Sequence, residues 1–339
     1  MSSLARPLQH ALHAHVLLQP EHGDAAPKPG AGPTSLPASQ FASFLLEVGE
    51  GRVALCPGTD DFVQLPASIT ASPGCTLNDL VADVFPDLGL RLAGDPGAGQ
   101  FFGERAILTT RNDDVDAINE TCVEAFCPDV QATVLLSADQ VVDVDNSALY
   151  PAEFLNTLNV SGLPPHRLAL KVGCTIMLLR NMRGHPRMVN GARLIVRAIS
   201  RIALDVEFAV GDFQGTGVYI PRIKMPPSDD VLPFKFTHLQ FPVRPAFAIS
   251  INKSQGQTLE RIAVYLPQPV FSHGHLYVAQ SWVGAPDRVS VMVPASDNNA
   301  RGHLDLQCLV HRPACPAGSV LTRNVVYGEA LSTVTMASS

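Results

Sequence analysis

RAILTTRNDDVDAINETCVEAF, residues 105–126, decides the fold class. Arg105–Thr110 is an apolar run of strand length, since buried strands run about 4–8 residues. Asn112 can then cap a helix whose first turn holds Asp113 and Asp114, where the positive end of the helix dipole favours carboxylates. Val115, Ile118, Cys122, Val123 and Phe126 recur at helical spacing and predict one buried stripe. A strand leading into a helix is the repeating unit of a parallel α/β sheet.

Upstream, FASFLLEVGEG (41–51) predicts an amphipathic helix that Gly49 and Gly51 stop. A second helix is expected over Leu77–Phe85, before Pro86, and a glycine-rich turn region over Gly94–Gly103. Residues 1–40 are rich in Ala, Pro, Gly and His without strand or helix period, so they are expected to form a disordered leader. His10, His13, His15 and His22 read there as a solvated tail rather than as metal ligands.

Downstream the texture changes. Between Leu168 and Lys224 four strand-sized runs, TIMLLRN, RLIVRAI, ALDVEFAV and GVYIPRI, alternate with turn residues, which suggests a small β-barrel inserted in the larger domain. The α/β texture then returns, with an apolar run at Ala246–Lys253, strands at Ile262–Leu266 and Val289–Val293, and a helix near His275–Trp282. Residues 294–320 read as a loop, followed by one final strand or helix.

Apolar residues make up 46% of the 339 and charged residues 16%, enough to bury a substantial core. No apolar run approaches the roughly 18 residues of a membrane span, so no membrane partner is expected. Seven scattered cysteines in a chain of this size fit a reducing compartment better than a disulfide scaffold. The net charge of −7 argues at first against nucleic acid. Its distribution does not: residues 163–227 carry 10 basic and 3 acidic side chains, against 6 and 21 in residues 1–162. Affinity for phosphates follows the local field and the counterions it releases, so a basic segment in an acidic chain can serve.

Several long stretches then resemble PIF-type DNA helicases, in family order. They are YPAEFLNTLNVSGLPPHRLALKVGCTIMLLRN (150–181), VNGARLIV (189–196) and FPVRPAFAISINKSQGQTLERIAVYLPQPVFSHGHLYVAQS (241–281). FASFLLEVGEGR, RAILTTRNDDVDAIN and TRNVVYGEAL are also similar, and the flavour is that of the Helitron-transposon branch. The resemblance implies a partial RecA-like motor domain, a parallel sheet with flanking helices, interrupted by an SH3-like 2B barrel. On that reading 41–103 is a remnant before the second motor domain, 104–162 and 236–294 are its two parts, 163–235 is the barrel, and 295–339 is a variable loop and C-terminal segment.

The resemblance also implies site residues. INKSQGQT (251–258) is similar to the motif coupling DNA to nucleotide. Asn252, Lys253, Ser254 and Thr258 would contact strand phosphates, as would Arg180, Asn181, Asn190 and Arg193 of the barrel. Lys171, Arg167 and Arg197 are further cationic candidates there. Gln255 and Gly256 would face the nucleotide. Arg111 could do the same, or could pair with Asp113 or Asp114 at the helix start.

Two departures bear on activity. The phosphate-cradling pattern G-x-x-x-x-G-K-[ST] fits no stretch of the sequence, and the dipeptide Asp-Glu, which holds magnesium in the family, does not occur. Family members end one helix in YVALSR, whose arginine reaches the terminal phosphate. This chain reads YVAQSW, with Trp282 there, and an indole offers one neutral donor. The complete family uses ATP and Mg2+, whereas these residues alone are expected to hold neither. The expected partners are single-stranded DNA, weakly, and an N-terminal helicase half, in a nuclear setting. The competing readings are a non-catalytic DNA-binding or interaction module and a transposon-derived relic. His303, Cys308, His311 and Cys315 match no zinc-finger spacing and read as loop residues.

Overall fold

The computed structural model describes residues 36–56, 62–91, 97–142, 150–158, 160, 162–184, 186–227, 232–253, 259–294 and 320–326. The histidines of the leader and the His303–Cys315 group lie outside them. The chain divides into two compact units. The first comprises the residues up to Val84, Ile107–Val115 and those from Ile249 onward; the second comprises Phe85–Ala106 and Asp116–Ala248.

The fold is mixed α/β. A four-stranded sheet runs in the order Ala248–Ser250, Arg105–Thr109, Arg261–Tyr265, Val289–Met292. The last two strands are parallel, with Ile262 opposite Val289. The 105–109 strand is all but fully buried after Arg105, as expected of an apolar run covered on both faces. The helix that follows is Asn112–Ala125, with Asp113 and Asp114 in its first turn. Asn112 is already helical, one position beyond a cap. The predicted stripe is correct at every position: Val115, Ile118, Cys122, Val123 and Phe126 are all buried.

In the first unit, the helix Ala38–Glu50 ends at Gly51, whose φ of 68° only a residue without a Cβ adopts cheaply. Gly51 N–H and Arg52 N–H close on the carbonyls of Val48 and Glu47. Gly49 does not stop the helix. It lies inside it, where a Cβ would come within 2.9 Å of the Tyr277 ring. The helix Leu77–Val84 opens on Thr76, whose hydroxyl accepts from Asp79 N–H while the Asp79 carboxylate accepts from Thr76 N–H at 2.8 Å. This reciprocal cap satisfies two orphan donors. The final segment is a strand, Leu321–Arg323, antiparallel to Phe62–Gln64.

In the second unit, the four expected strands are Thr175–Leu178, Arg193–Ile199, Ala203–Phe208 and Gly217–Pro221. They pair consecutively and antiparallel, and Val243–Pro245 adds a fifth strand beside Thr175–Leu178. The SH3-like reading expects such an antiparallel unit. The sheet draws that fifth strand from beyond residue 235.

One expectation fails here. Ala98–Gly103 is a helix rather than part of a turn region. Phe102 is wholly buried, with its ring edge-on to Phe126 and Phe247 at 5.6 and 5.5 Å, and Phe85 packs edge-on to Phe247 at 5.6 Å. Burying such rings outweighs the cost of about 1 kcal/mol per helical glycine.

Candidate nucleic-acid interface

The basic segment 163–227 contains cations of two kinds. Arg193 is 2% exposed, and its guanidinium donates to the carbonyls of Gly103 (3.0 Å), Arg105 (2.8 Å) and Ala246 (3.0 Å). Its assignment to DNA is therefore corrected: every contact it makes is internal. Lys171 is likewise buried, with its ammonium on the carbonyls of Glu124, Phe126 and Cys127 at 3.2, 2.6 and 3.1 Å. Both are core fixtures, and no phosphate reaches them.

The others lie nearer the surface. Arg197 is ion-paired with Glu207, and Arg167 lies 3.9 Å from Glu120. Arg180 donates to the Pro226 carbonyl at 3.3 Å, and Arg187 meets Asp212 at 3.3 Å. Arg183, Arg201 and Lys224 are exposed. The loop carrying Arg180, Arg183 and Arg187 is braced from within. Asn181 Oδ1 accepts the Asn190 N–H at 2.7 Å, Met182 N–H donates to the Met188 carbonyl at 2.8 Å, and Met188 is buried. Asn181 and Asn190 thus shape the loop that carries the exposed arginines.

In the first unit, Asn252 and Lys253 sit on the 3-10 turn Ile251–Lys253, directly after the strand Ala248–Ser250. Asn252 is exposed and Lys253 half-buried. Asn252 Oδ1 lies 2.7 Å from His275 Nε2. Ser254, Gln255, Gly256 and Thr258 lie outside the described residues. Arg111 is exposed just past the 105–109 strand. The carboxyl of Asp114 is held above its ordinary value by burial, against the pull of Arg111 and with a smaller push from Asp113. Arg111 thus acts electrostatically on Asp114, while its exposure leaves room for an outside anion.

The helix His275–Gln280 carries YVAQS into Trp282, which is buried at 7% exposure. The position at which the resemblance implies an arginine is thus a buried indole. Arg288, on the short turn Pro286–Arg288, is exposed. Among the described residues no group of three His, Cys, Asp or Glu side chains is placed to hold a metal ion.

A polar cluster that sequence reasoning missed lies in the second unit. Ser137 Oγ donates to Asp139 Oδ2 at 2.9 Å and lies 2.6 Å from His166 Nδ1. Asp139 Oδ1 meets His238 Nδ1 at 2.6 Å, and both side chains are at least 95% buried. Ser137 Oγ thus bridges the Asp139 carboxylate and the His166 ring. No local pattern could have revealed the cluster, because its members come from three separated stretches, 137–139, 166 and 238.

The buried histidines predict a pH response. Burial holds His238, His273 and His275 below their ordinary value of 6.5, for His238 despite the attraction of Asp139. The folded state therefore takes up these protons less readily than the unfolded chain. Their contribution is complete above the unfolded value of 6.5 and is lost as pH falls below it. Melting temperature is expected to drop between about pH 7.5 and about pH 5.5. Scanning calorimetry across that range checks it, and a flat profile contradicts the assignment.

Residues 153–199 match the family model for the 2B domain of the DNA helicase Pif1. The ATP-dependent DNA helicase PIF1 of Danio rerio is 29% identical over 197 residues, covering 55% of this chain and 27% of that protein. The Homo sapiens PIF1 is 33% identical over 132 residues, 38% of this chain and 20% of the relative. The crystal structure of the Candida albicans Pif1 helicase aligns over 75% of this chain and 53% of its own, with a TM-score of 0.46 and 20% identity. The chain thus spans about a quarter of the length of the first of these curated relatives. Residues 153–199 are thus similar to the Pif1 2B domain, and the chain is similar to the C-terminal part of PIF-type DNA helicases.

Proposed function

We propose that this chain is the strand-holding C-terminal part of an ATP-dependent 5′-to-3′ DNA helicase of the nucleus. We further propose that these 339 residues by themselves bind single-stranded DNA weakly and turn over no ATP. The observation that carries the first statement is the 2B match over 153–199, flanked on both sides by α/β sequence in helicase order. Two features support the second: no stretch of the sequence matches the triphosphate-cradling pattern G-x-x-x-x-G-K-[ST], and Trp282 is buried at the position the resemblance gives to an arginine. ATP and magnesium would then act only together with a nucleotide-binding half. Replication, repair, recombination, telomere maintenance and transposition are the settings such helicases serve.

The strand contacts on this reading are Asn252, Lys253 and the braced loop with Arg180. Phosphate contacts give a salt dependence of about 0.7 log units per contact for a single strand. A labelled oligo-dT titrated at several salt concentrations is expected to bind weakly, with an affinity that falls steeply with salt. Lys253→Ala should lower that slope by about one contact's share. DNA-stimulated phosphate release by the purified chain, absent from a mock preparation, would overturn the second statement. No measurable strand affinity at low salt would favour the relic over the binding module.

A further inference from the structure

Asn252 belongs to a small surface constellation that the helicase reading does not by itself assign. His275 lies behind it, 5% exposed, with Nε2 2.7 Å from Asn252 Oδ1 and its other nitrogen, Nδ1, buried without a hydrogen-bond partner among the described residues. Burial favours the neutral ring, which has one proton to place. That proton belongs on Nε2, the only ring nitrogen with an acceptor among the described residues. His275 then donates to Asn252 Oδ1, which fixes the amide's orientation. The exposed Nδ2 becomes a dedicated pair of donors, facing the same solvent as the neighbouring Lys253 turn.

The same imidazole holds an aromatic ring. Phe271 packs edge-on against His275, with centroids 5.1 Å apart at 75°. Its own surface remains 55% exposed, which a phenylalanine with a core role would not be. One buried histidine therefore organises a pair of amide donors and an open aromatic face at neighbouring points. Donors receive phosphate oxygens, and a flat exposed ring stacks a nucleobase of any identity.

We propose that Phe271 and Asn252 form one nucleotide subsite for single-stranded nucleic acid, with the base stacked on Phe271, a phosphate received by Asn252 Nδ2, and His275 as the residue positioning both. This rests on the strand-binding reading above and deepens it, adding a sequence-neutral stacking contact to the phosphate contacts. The competing occupant, an apolar protein surface seated on Phe271, would be indifferent to nucleobases.

The test titrates the full chain with fluorescein-labelled oligo-dT and with an abasic strand carrying the same number of phosphates. Wild type is expected to favour oligo-dT by roughly tenfold, the range that removing one stacked base reaches. Phe271→Ala should abolish that preference while leaving abasic affinity unchanged. Phe271→Trp should keep it and lose indole fluorescence on binding. Asn252→Ala and His275→Leu should each weaken both strands, and His275→Gln, whose amide can place a donor where Nε2 stands, should restore binding. Asn252 and Phe271 are exposed, so their variants read the proposal even if His275→Leu fails to fold. Equal binding of the two strands by wild type, or a preference that survives Phe271→Ala, overturns the subsite alone. Failure of wild type to bind oligo-dT at low salt overturns both the subsite and the reading beneath it.

Discussion

Arg193→Leu is expected to destabilise the second unit by about 3–5 kcal/mol, because three buried carbonyls lose their donors together. The guanidinium spans the carbonyl that ends the helix Ala98–Gly103, the one that starts the strand Arg105–Thr109, and Ala246 just after the strand Val243–Pro245. Burial pushes its pKa down to about 10, still far above neutrality, so the fork remains charged at pH 7. Leucine fills part of the volume and supplies no donor. For a unit of this size the loss corresponds to a melting temperature lower by roughly 10 °C, at about 2–4 °C per kcal/mol. Arg193→Lys should fall between wild type and leucine, since an ammonium lacks the planar fork that reaches three oxygens at once. Arg183→Ala, at an exposed position of the same basic segment, should shift the midpoint by less than about 0.5 kcal/mol. Denaturant titrations of the three variants check this ordering. A leucine variant as stable as wild type would remove the internal role assigned to Arg193.

Lys171→Met should cost about 3 kcal/mol, by a different route. The helix Asn112–Ala125 ends without a glycine. Cys127, just past it, takes a left-handed φ of 44°, a conformation that costs a side chain-bearing residue about 1 kcal/mol or more. The terminal carbonyls of a helix lack intrahelical partners and carry the negative end of its dipole. Here the Lys171 ammonium donates to three of this end's carbonyls, those of Glu124, Phe126 and Cys127. Methionine keeps the length of the side chain and removes both charge and donors. The expected signature is a lower denaturation midpoint together with faster amide exchange in the last helical turn. Unchanged exchange there would show that another group caps the helix.

In sequence, Lys171 and Arg193 belong to a run of ten cations indistinguishable from one another, and all invite a phosphate. Burial separates them into two fixtures of the core and a surface set. Only the surface set lies where solvent reaches it. Side chain-to-backbone bonds spanning 44 to 90 residues make that distinction, and no window of sequence contains both ends of such a bond.

What the sequence determined by itself is the local order. The strand-to-helix unit at 105–126 with its buried stripe, the left-handed stop at Gly51 and the four antiparallel strands of the basic segment follow from periods and turn residues. These depend on neighbours a few positions away. Tertiary structure alone decided that Ala98–Gly103 is helical, because a phenylalanine cluster assembled from residues 85, 102, 126 and 247 outweighs the glycines. It alone aimed the Asn252 amide, through an imidazole 23 residues away. Packing and buried hydrogen bonds act across chain separations that periodicity does not span, and they decide which polar groups of a motif face the solvent.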